Sequence, residues 1–213
     1  MKHGRTLAAA ALVLTTAVSA GCSDSGSSHN AGLENPVNAA RSHLPGARTP
    51  GTPAPTEANP PGDIPDNQAF VVYHPRAGGF TVKVPEGWAQ TAQGGTAVFT
   101  DKLNRIEIAT ARATAPPTVQ SVSAQIVPVL RQRVANFAAP AASQVTRHAG
   151  RAVLLTYQGN SPPDAVTNKV VRDGFERYAF FRQGFEVDLT LSGPVHADNV
   201  DPWRLVTDSF TWQ

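Results

Sequence analysis

Hydrophobic and polar positions alternate along the first part of the folded region. In the segment GFTVKVPEGW, Phe80, Val82 and Val84 alternate with polar neighbours until the Pro-x-Gly turn. This period of two predicts a half-buried β-strand. The segments TAVFTD and NRIEIATAR continue the pattern, with Ile106 and Ile108 on one face. These three strands in succession predict an antiparallel meander.

The pattern changes to a helical period after two consecutive prolines. Apolar residues then recur at helical spacing, at Val119, Val122, Ile126, Leu130 and Phe137. Thr118 precedes them and is a suitable N-cap. Pro128 lies inside the segment, where a proline costs roughly 3 kcal/mol in a continuous helix. We therefore expect a kink or a break at Pro128.

Two hairpins are predicted farther along the chain. The segment SQVTRHAGRAVLLTYQG turns near residues 149–150, and RYAFFRQGFEVDLTLSG forms a second hairpin if Gln183 and Gly184 make a two-residue turn. That register pairs Phe180 with Val187 and Tyr178 with Leu189 on one face, and Phe181 with Glu186 and Ala179 with Asp188 on the other. The first face is apolar and belongs to the core, whereas the second is mixed.

The C-terminal segment DNVDPWRLVTDSFTW predicts a short closing helix. Asp201 can cap this helix, and Pro202 suits its first turn. Trp203, Val206 and Phe210 then share one face, which we expect to pack against the sheet.

The order of these elements resembles the PsbP-like family. The resemblance rests on a strand ending in P-x-G-W (Pro85, Gly87, Trp88), the meander, the long helix, the antiparallel strands and the final helix that runs into SFTW. The chain is also similar to small actinobacterial lipoproteins of the LpqN type. The resemblance implies an α+β domain over residues 70–213, in which helices flank an antiparallel sheet in an α/β/α sandwich. It further implies an accessory or binding module, since the fold brings no shared catalytic residues.

The N-terminus has the layout of a secretory signal. Two basic residues precede the apolar run LAAAALVLTTAV, which is too short to span a bilayer, and small residues then lead to Cys22, the single cysteine. This arrangement resembles the lipobox of bacterial lipoproteins, although Ser19 stands where that family usually has an aliphatic residue. The resemblance implies that residues 1–21 are cleaved and that Cys22 carries palmitate-type acyl chains, which anchor the protein to the extracytoplasmic face of the cell membrane. Cleavage by ordinary signal peptidase after Ala20 and a structural role for Cys22 are the alternatives.

Composition predicts a tether over residues 22–69, rich in Pro, Gly and Ser and almost without large apolar side chains. The chain has 18 basic and 16 acidic residues, a formal charge of +2. Lys2 and Arg5 in the signal account for that excess, so the chain from Cys22 onward is formally neutral. A nucleic-acid partner is discounted because such partners require a basic excess.

Catalytic and metal-binding patterns are weak in this sequence. No G-x-S-x-G motif is present, and the group His196, Asp198, Asn199 and Asp201 is interpreted as helix capping rather than as a cation site. Arg177 and Arg182 are interpreted as solvated partners of neighbouring glutamates. We predict no catalytic, cofactor-binding or metal-binding residues.

Two aromatic residues are candidates for a binding surface. Phe181 departs from the alternation of apolar and polar residues along its strand, and Trp203 lies in the last helix. Core packing is the alternative for both. The sequence thus predicts a monomeric, non-enzymatic, lipid-anchored module that binds an envelope protein or other envelope component. The alternatives are a carrier of a small apolar or lipid ligand and, more distantly, a cell-envelope hydrolase.

Overall fold

The computed structural model describes residues 60–76, 78–164 and 167–213. The signal sequence, Cys22 and the tether up to residue 59 lie outside the described residues. In chain order the elements are β1 (Phe70–Tyr73), β2 (Phe80–Pro85), β3 (Ala89–Gln93), β4 (Thr96–Asp101), β5 (Asn104–Arg112), α1 (Val119–Ser121), a π-helical segment (Val122–Ile126), α2 (Val127–Arg133), β6 (Ala138–Arg147), β7 (Gly150–Asn160), β8 (Arg172–Arg182), β9 (Phe185–Pro194), α3 (Val200–Asp208) and β10 (Thr211–Trp212).

The strands form two antiparallel sheets. The larger has seven strands in the order β3-β4-β5-β9-β8-β7-β6, and the smaller has three in the order β1-β2-β10. The predicted meander of three strands is therefore wrong for β2. This strand pairs with β1 and β10, and β3 takes the place beside β4. Gly87, with a φ of 82°, follows β2 where the chain passes from one sheet to the other.

The hairpin predictions are confirmed. β6 ends at Arg147 and β7 begins at Gly150, and the β8–β9 register pairs Phe180 with Val187 and Ala179 with Asp188, as predicted. Gln183 and Gly184 have φ values of 51° and 78°, the left-handed pair that a tight turn of this type requires. Alternation along β9 then assigns successive residues to opposite faces of the large sheet.

One face of the large sheet, called the core face, packs against the small sheet and α3. Its buried residues include Ile106, Ile108, Tyr178, Phe180, Val187, Leu189 and Leu191. Phe210 lies between Phe180 and Phe80, with ring centroids 4.3 and 5.1 Å away. Trp203 and Val206 pack in the same cluster, which confirms the predicted role of the last helix.

The opposite face, called the helix face, is partly covered by α1, the π-helical segment and α2. Thr118 caps α1 in a capping box with Ser121, as predicted for the N-cap. The π-helical segment immediately precedes the turn that contains Pro128, so the helix changes its hydrogen-bond pattern where proline cannot donate. The helical run is therefore not broken at Pro128 as expected, because a change from π-helical to α-helical hydrogen bonding accommodates the proline. Phe137 is not helical, because α2 ends at Arg133.

Part of the predicted tether packs on the domain. Ile64 is only 5% exposed, and its backbone N–H donates to Asn199 Oδ1 at 2.8 Å. Asn199 is also the N-cap residue of α3, so the predicted capping by Asp201 is wrong. The ordered domain therefore begins before residue 70.

The structure confirms the predicted class, an α+β protein with antiparallel sheets and flanking helices. None of the helices in the described part of the chain has the length and hydrophobicity of a membrane span.

Candidate functional site

The helix face has a covered half and an open half. Over β7 and β8, Val153, Leu155, Tyr157 and Phe175 are buried in one cluster with Val122 of the helical segment. On β5 and β9 the same face carries mainly polar side chains. The register places Arg105 opposite Ser192, Glu107 opposite Thr190 and Ala109 opposite Asp188. The open half is therefore a polar surface beside an apolar helix.

A cleft of about 600 Å³ lies between this polar surface and α2. Its apolar wall consists of Ile126, Val129, Leu130 and Val134 from the helix and Pro162 and Pro163 from the loop after β7. Its floor consists of Arg105, Glu107, Arg177, Asp188, Thr190 and Ser192. Both the volume and the combination of apolar walls with a few polar groups are typical of a ligand site.

A second cavity of about 520 Å³ adjoins the first. Asp101, Lys102, Lys169 and Asp173 line it, and it shares Arg105, Ser161, Pro162, Pro163 and Ser192 with the first cavity. Because five lining residues are common to both, the two cavities are neighbours, and we call them together the helix cleft.

Gly159 allows the end of α2 to approach the sheet closely. A Cβ atom at this position would lie 2.2 Å from Cγ1 of Val134, well inside van der Waals contact. Since Val134 lines the helix cleft, the absence of a side chain at residue 159 helps to set the width of the cleft.

Charged side chains on the floor are paired with one another. Arg177 is 8% exposed and contacts Oδ2 of Asp188 through Nη2 at 2.5 Å, and Arg105 Nη2 donates to Glu107 Oε2 at 2.6 Å. Burial raises the pKa of Asp188 above its ordinary value, although Arg177 acts in the opposite direction. The prediction that Arg177 pairs with glutamates in solvent is wrong, because Arg177 is buried and its partner is a half-buried aspartate on the adjacent strand.

Asp173 lies at the other end of the floor and is only 2% exposed. Its Oδ1 has no hydrogen-bond partner among the described residues. Burial raises the pKa of this carboxyl from 3.8 to about 6. Asp173 is therefore a buried acid that faces a cavity without a protein donor for one of its oxygens.

The two predicted surface residues are not brought together. Phe181 lies on the helix face and lines a separate cavity of about 460 Å³ near Pro116, Pro117 and Thr118. Trp203 packs against the core cluster on the other side of the sheet. A binding surface that contains Phe181 stays a prediction, and Trp203 belongs to a different layer.

The HADNVD segment is structural in the described domain. Asn199 is buried, and its Nδ2 donates to the Gly62 carbonyl and to Asn104 Oδ1 at 3.0 Å each. The described residues contain no group of three or more His, Cys, Asp or Glu side chains that could hold a metal ion. His74, His148 and His196 are exposed and do not line the helix cleft.

Sequence reasoning did not identify Asp173, Arg177 and Asp188 as one site. A signal was present, because charged residues recur on the mixed face of β8 and β9, two internal strands of the sheet. Internal strands rarely carry unpaired charges on a packed face, so this pattern could have indicated an open cleft.

The chain is similar in structure to several solved proteins. Cyanobacterial PsbP from Synechocystis is 15% identical, with 68% of this chain and 94% of that one covered at a TM-score of 0.47. The Ran-binding protein Mog1p from Saccharomyces cerevisiae is 8% identical, with 68% and 95% covered at 0.47. LpqN of Mycobacterium tuberculosis, which is involved in cell envelope biogenesis, is 14% identical, with 70% and 92% covered at 0.43.

No family model matches the chain, and no curated protein matches it in sequence. The two kinds of protein that the sequence resembles, PsbP and LpqN, are both among these solved structures. At such identities the likeness concerns the fold and carries no information about ligands or partners.

Proposed function

We propose that this protein is an accessory binding module, held at the extracytoplasmic face of the membrane by lipid on Cys22, that binds an envelope component in the helix cleft. The observation that carries the proposal is the cleft itself, in which an apolar helix wall faces a floor of paired and unpaired charges. A site of this kind favours binding and orientation of a ligand.

The N-terminal sequence supports the location. Cys22 follows an apolar run and small residues, and a long segment rich in Pro, Gly and Ser separates it from the domain. A lipid on Cys22 would hold the domain near the membrane, and the intervening segment would let the cleft reach envelope components around it.

The composition of the cleft disfavours a serine hydrolase of the usual kind. Its lining contains carboxylates, arginines and hydroxyl groups, and the three histidines of the domain lie elsewhere. A serine nucleophile of the usual kind needs a general base within hydrogen-bond reach. The hydroxyl groups of the floor, Thr190 and Ser192, have no histidine beside them in the cleft lining.

A carrier of a small apolar ligand is the second candidate. The cavity that reaches toward the core face is lined by Tyr73, Phe80, Ala97 and Ile108 and has a volume of about 250 Å³. This volume lies below the range of roughly 300–1,000 Å³ for ligand sites. The cavity is therefore a weaker candidate than the helix cleft.

Site-specific photo-crosslinking in the native membrane tests the proposal. A photoreactive residue at Val129, which is exposed on the cleft wall, is expected to give a discrete adduct with an envelope component. The matched control is Val72, exposed on β1 in the small sheet. Equal adducts from both positions, or none from Val129, would contradict a binding role for the cleft.

Anchoring is tested separately with Cys22→Ala. We expect this variant to leave the membrane fraction or to remain unprocessed, and mass spectrometry of the mature wild-type protein is expected to find acyl chains on Cys22. An unmodified thiol at Cys22 in the mature chain would contradict the anchor without affecting the cleft.

A further inference from the structure

Two buried side-chain oxygens without a hydrogen-bond partner occur among the described residues, and both belong to the helix cleft. They are Oδ1 of Asp173 and Oδ1 of Asp188. Asp188 lines the cavity beside α2, and Asp173 lines the adjoining cavity. Glu186, the same-face neighbour of Asp188 along β9, is itself an acid and can donate to Asp188 only when protonated. Burial and the neighbouring Asp188 raise the pKa of Glu186, whose side chain contacts Asp188. When Glu186 is ionised, the cleft presents two acceptors that its own residues do not satisfy.

An unsatisfied acceptor restricts what can enter the cleft. Both oxygens lie beneath the floor, out of reach of solvent in the free protein, so each lacks the hydrogen bonds that it makes with water in the unfolded chain. A ligand that reaches them through a small movement of the floor side chains must bring hydrogen-bond donors of its own. An apolar ligand does not meet this requirement. The floor therefore selects for a ligand with hydrogen-bond donors.

Charge further limits the class of ligand. An anion would approach Asp173 and Asp188, and a cation would approach Arg177, Arg105 and Lys169, so neither sign is favoured along the whole cleft. Hydroxyl groups both donate and accept, so they match a floor on which an arginine stands beside a carboxylate in each of two pairs. A neutral, hydroxyl-rich ligand is the best match.

The shape of the cleft favours a chain over a single small molecule. Asp173 is opposite Pro194 on β9, six positions along that strand from Asp188. At roughly 3.4 Å per residue, the two carboxylates lie on the order of 20 Å apart along the sheet. A ligand that reaches both is elongated.

We propose that the helix cleft binds a neutral saccharide chain, whose hydroxyl groups donate to Asp173 Oδ1 and Asp188 Oδ1 and whose apolar C–H faces pack against Leu130, Pro162 and Pro163. This inference rests on the proposed binding function and adds the chemical class of the ligand.

An extended peptide is disfavoured by the same geometry. Peptides that bind a β-sheet usually pair with the backbone of an exposed edge strand. The floor of the cleft is a sheet face made by the internal strands β5, β9 and β8, whose backbone groups are paired with one another.

Calorimetric titration of the full-length protein in a detergent without a sugar headgroup tests the ligand class. The probes are neutral hexasaccharides of glucose, galactose, mannose and arabinose, together with hexagalacturonate, a chitosan hexamer and a neutral serine-rich hexapeptide. At least one neutral saccharide is expected to bind ten-fold or more tightly than each charged oligosaccharide and the peptide. No binding to any neutral saccharide, either free or as a lipid headgroup, or preferential binding of a charged chain or the peptide, would overturn the proposal.

Vesicles distinguish a free glycan from a lipid headgroup. Vesicles that contain digalactosyl diacylglycerol are compared with vesicles of phosphatidylcholine, using the Cys22→Ala protein to remove its own anchor. Binding to the galactolipid vesicles alone assigns the sugar to a headgroup, whereas binding to free hexasaccharides alone assigns it to a glycan chain.

Two variants test the floor of the cleft, one at an assigned acceptor and one at a hydroxyl residue that lines the floor. Asp173→Asn removes the charged acceptor and is expected to weaken saccharide binding at least ten-fold with no loss of thermal stability. Thr190→Val keeps the shape of the strand residue and is expected to weaken binding by several fold. Asp201→Asn, at an exposed position of α3, is the matched control and is expected to bind like the wild type. Wild-type affinity in both cleft variants would overturn the proposal.

The two proposals fail in different ways. An adduct at Val129 without saccharide binding would leave the binding module in place and remove only the ligand class. Saccharide binding that Asp173→Asn and Thr190→Val do not weaken would place the sugar elsewhere on the domain.

Discussion

Buried polar side chains on the core face of the large sheet are hydrogen-bonded to one another, whereas on the helix face two carboxylate oxygens have no partner in the described residues. On the core face, Asn104 and Asn199 bond to each other and to the Gly62 carbonyl, and Asn199 also accepts from Ile64. On the helix face, Asp173 and Asp188 each keep one unpartnered oxygen. Buried groups that only maintain a fold are normally satisfied, so the contrast separates structural polar groups from candidates for ligand contact.

In a second polar network on the core face, the side chains are likewise hydrogen-bonded to one another. Arg147 donates to Tyr178 Oη at 2.8 Å and to Thr207 Oγ1 at 3.1 Å, and Tyr178 donates to Glu176 at 2.7 Å. These bonds connect β6 and β8 with α3. Burial is the main cause that raises the pKa of Tyr178 to about 12, so this hydroxyl stays protonated at neutral pH.

The largest predicted effect is a loss of stability, and it concerns an aromatic side chain of the core face. Phe210 is fully buried and stacks on Phe180 and Phe80, so Phe210→Ala is expected to lower the free energy of unfolding by about 3–5 kcal/mol. Urea denaturation measures this loss. Leu205→Ala, on the exposed side of α3, is the control and is expected to change stability far less. Equal losses in the two variants would show that the last helix is not anchored through Phe210.

The next effect tests the satisfied polar cluster. Asn199→Ala leaves the Ile64 N–H without an acceptor and Asn104 Oδ1 without a donor, and it is expected to cost about 2–4 kcal/mol. It is also expected to expose residues 60–69 to limited proteolysis, because Asn199 holds that segment on the domain. The adjacent, exposed Val200→Ala is the control. Protection of residues 60–69 in Asn199→Ala would contradict this role.

Local patterns were sufficient to predict the elements that depend on neighbouring residues. The register of β8 and β9 followed from alternation and a two-residue turn, and Thr118 was recognisable as an N-cap. The sheet to which β2 belongs was not predictable in this way, because its alternation is the same whichever strand it pairs with. Its partner β10 includes Trp212, more than a hundred residues away.

The candidate site was harder to predict than the fold. Phe181 and Trp203 were chosen as large apolar residues, but the cleft is made by Arg105, Arg177 and Asp188 together with α2, which come together only through the strand order. The proximity of α2 depends further on Gly159, whose role is visible only in its contact with Val134.

The third prediction concerns Asp173, whose charged form destabilises the folded protein, whereas Phe210 and Asn199 stabilise it. Burial raises the pKa of Asp173 from 3.8 to about 6, so between these pH values the native state binds more protons than the unfolded state. The free energy of unfolding should therefore fall as the pH rises from about 4 to about 6, by up to about 3 kcal/mol from this group, and should then level off. Lys102, Arg105, Lys169, Asp101 and Asp164 are the other charged groups that line this cavity.

Asp173→Asn is expected to reduce this pH dependence and to raise stability at pH 7. Burial likewise raises the pKa values of Glu186 and Asp188, so a smaller slope of the same sign should remain in the variant. Urea denaturation at a series of pH values measures both effects. A loss of stability at pH 7 in Asp173→Asn, without a reduced slope, would place Asp173 with the structural polar groups of the core face.

The smallest predicted effect concerns the width of the cleft. Gly159→Ala would bring a Cβ atom to 2.2 Å from Val134 Cγ1, so the end of α2 must move away from the sheet. Overpacking of this kind typically costs about 1–3 kcal/mol. Because Val134 lines the cleft and Gly159 itself contacts no proposed ligand group, ligand affinity should fall by more than the modest loss of stability suggests. Gly174→Ala, on the adjacent strand with no atom within 4 Å of the added Cβ, is the matched control for a glycine replaced inside a strand. If Gly159→Ala lost stability but bound ligand like the Gly174→Ala control, the position of α2 would not determine binding, and the floor alone would have to account for it.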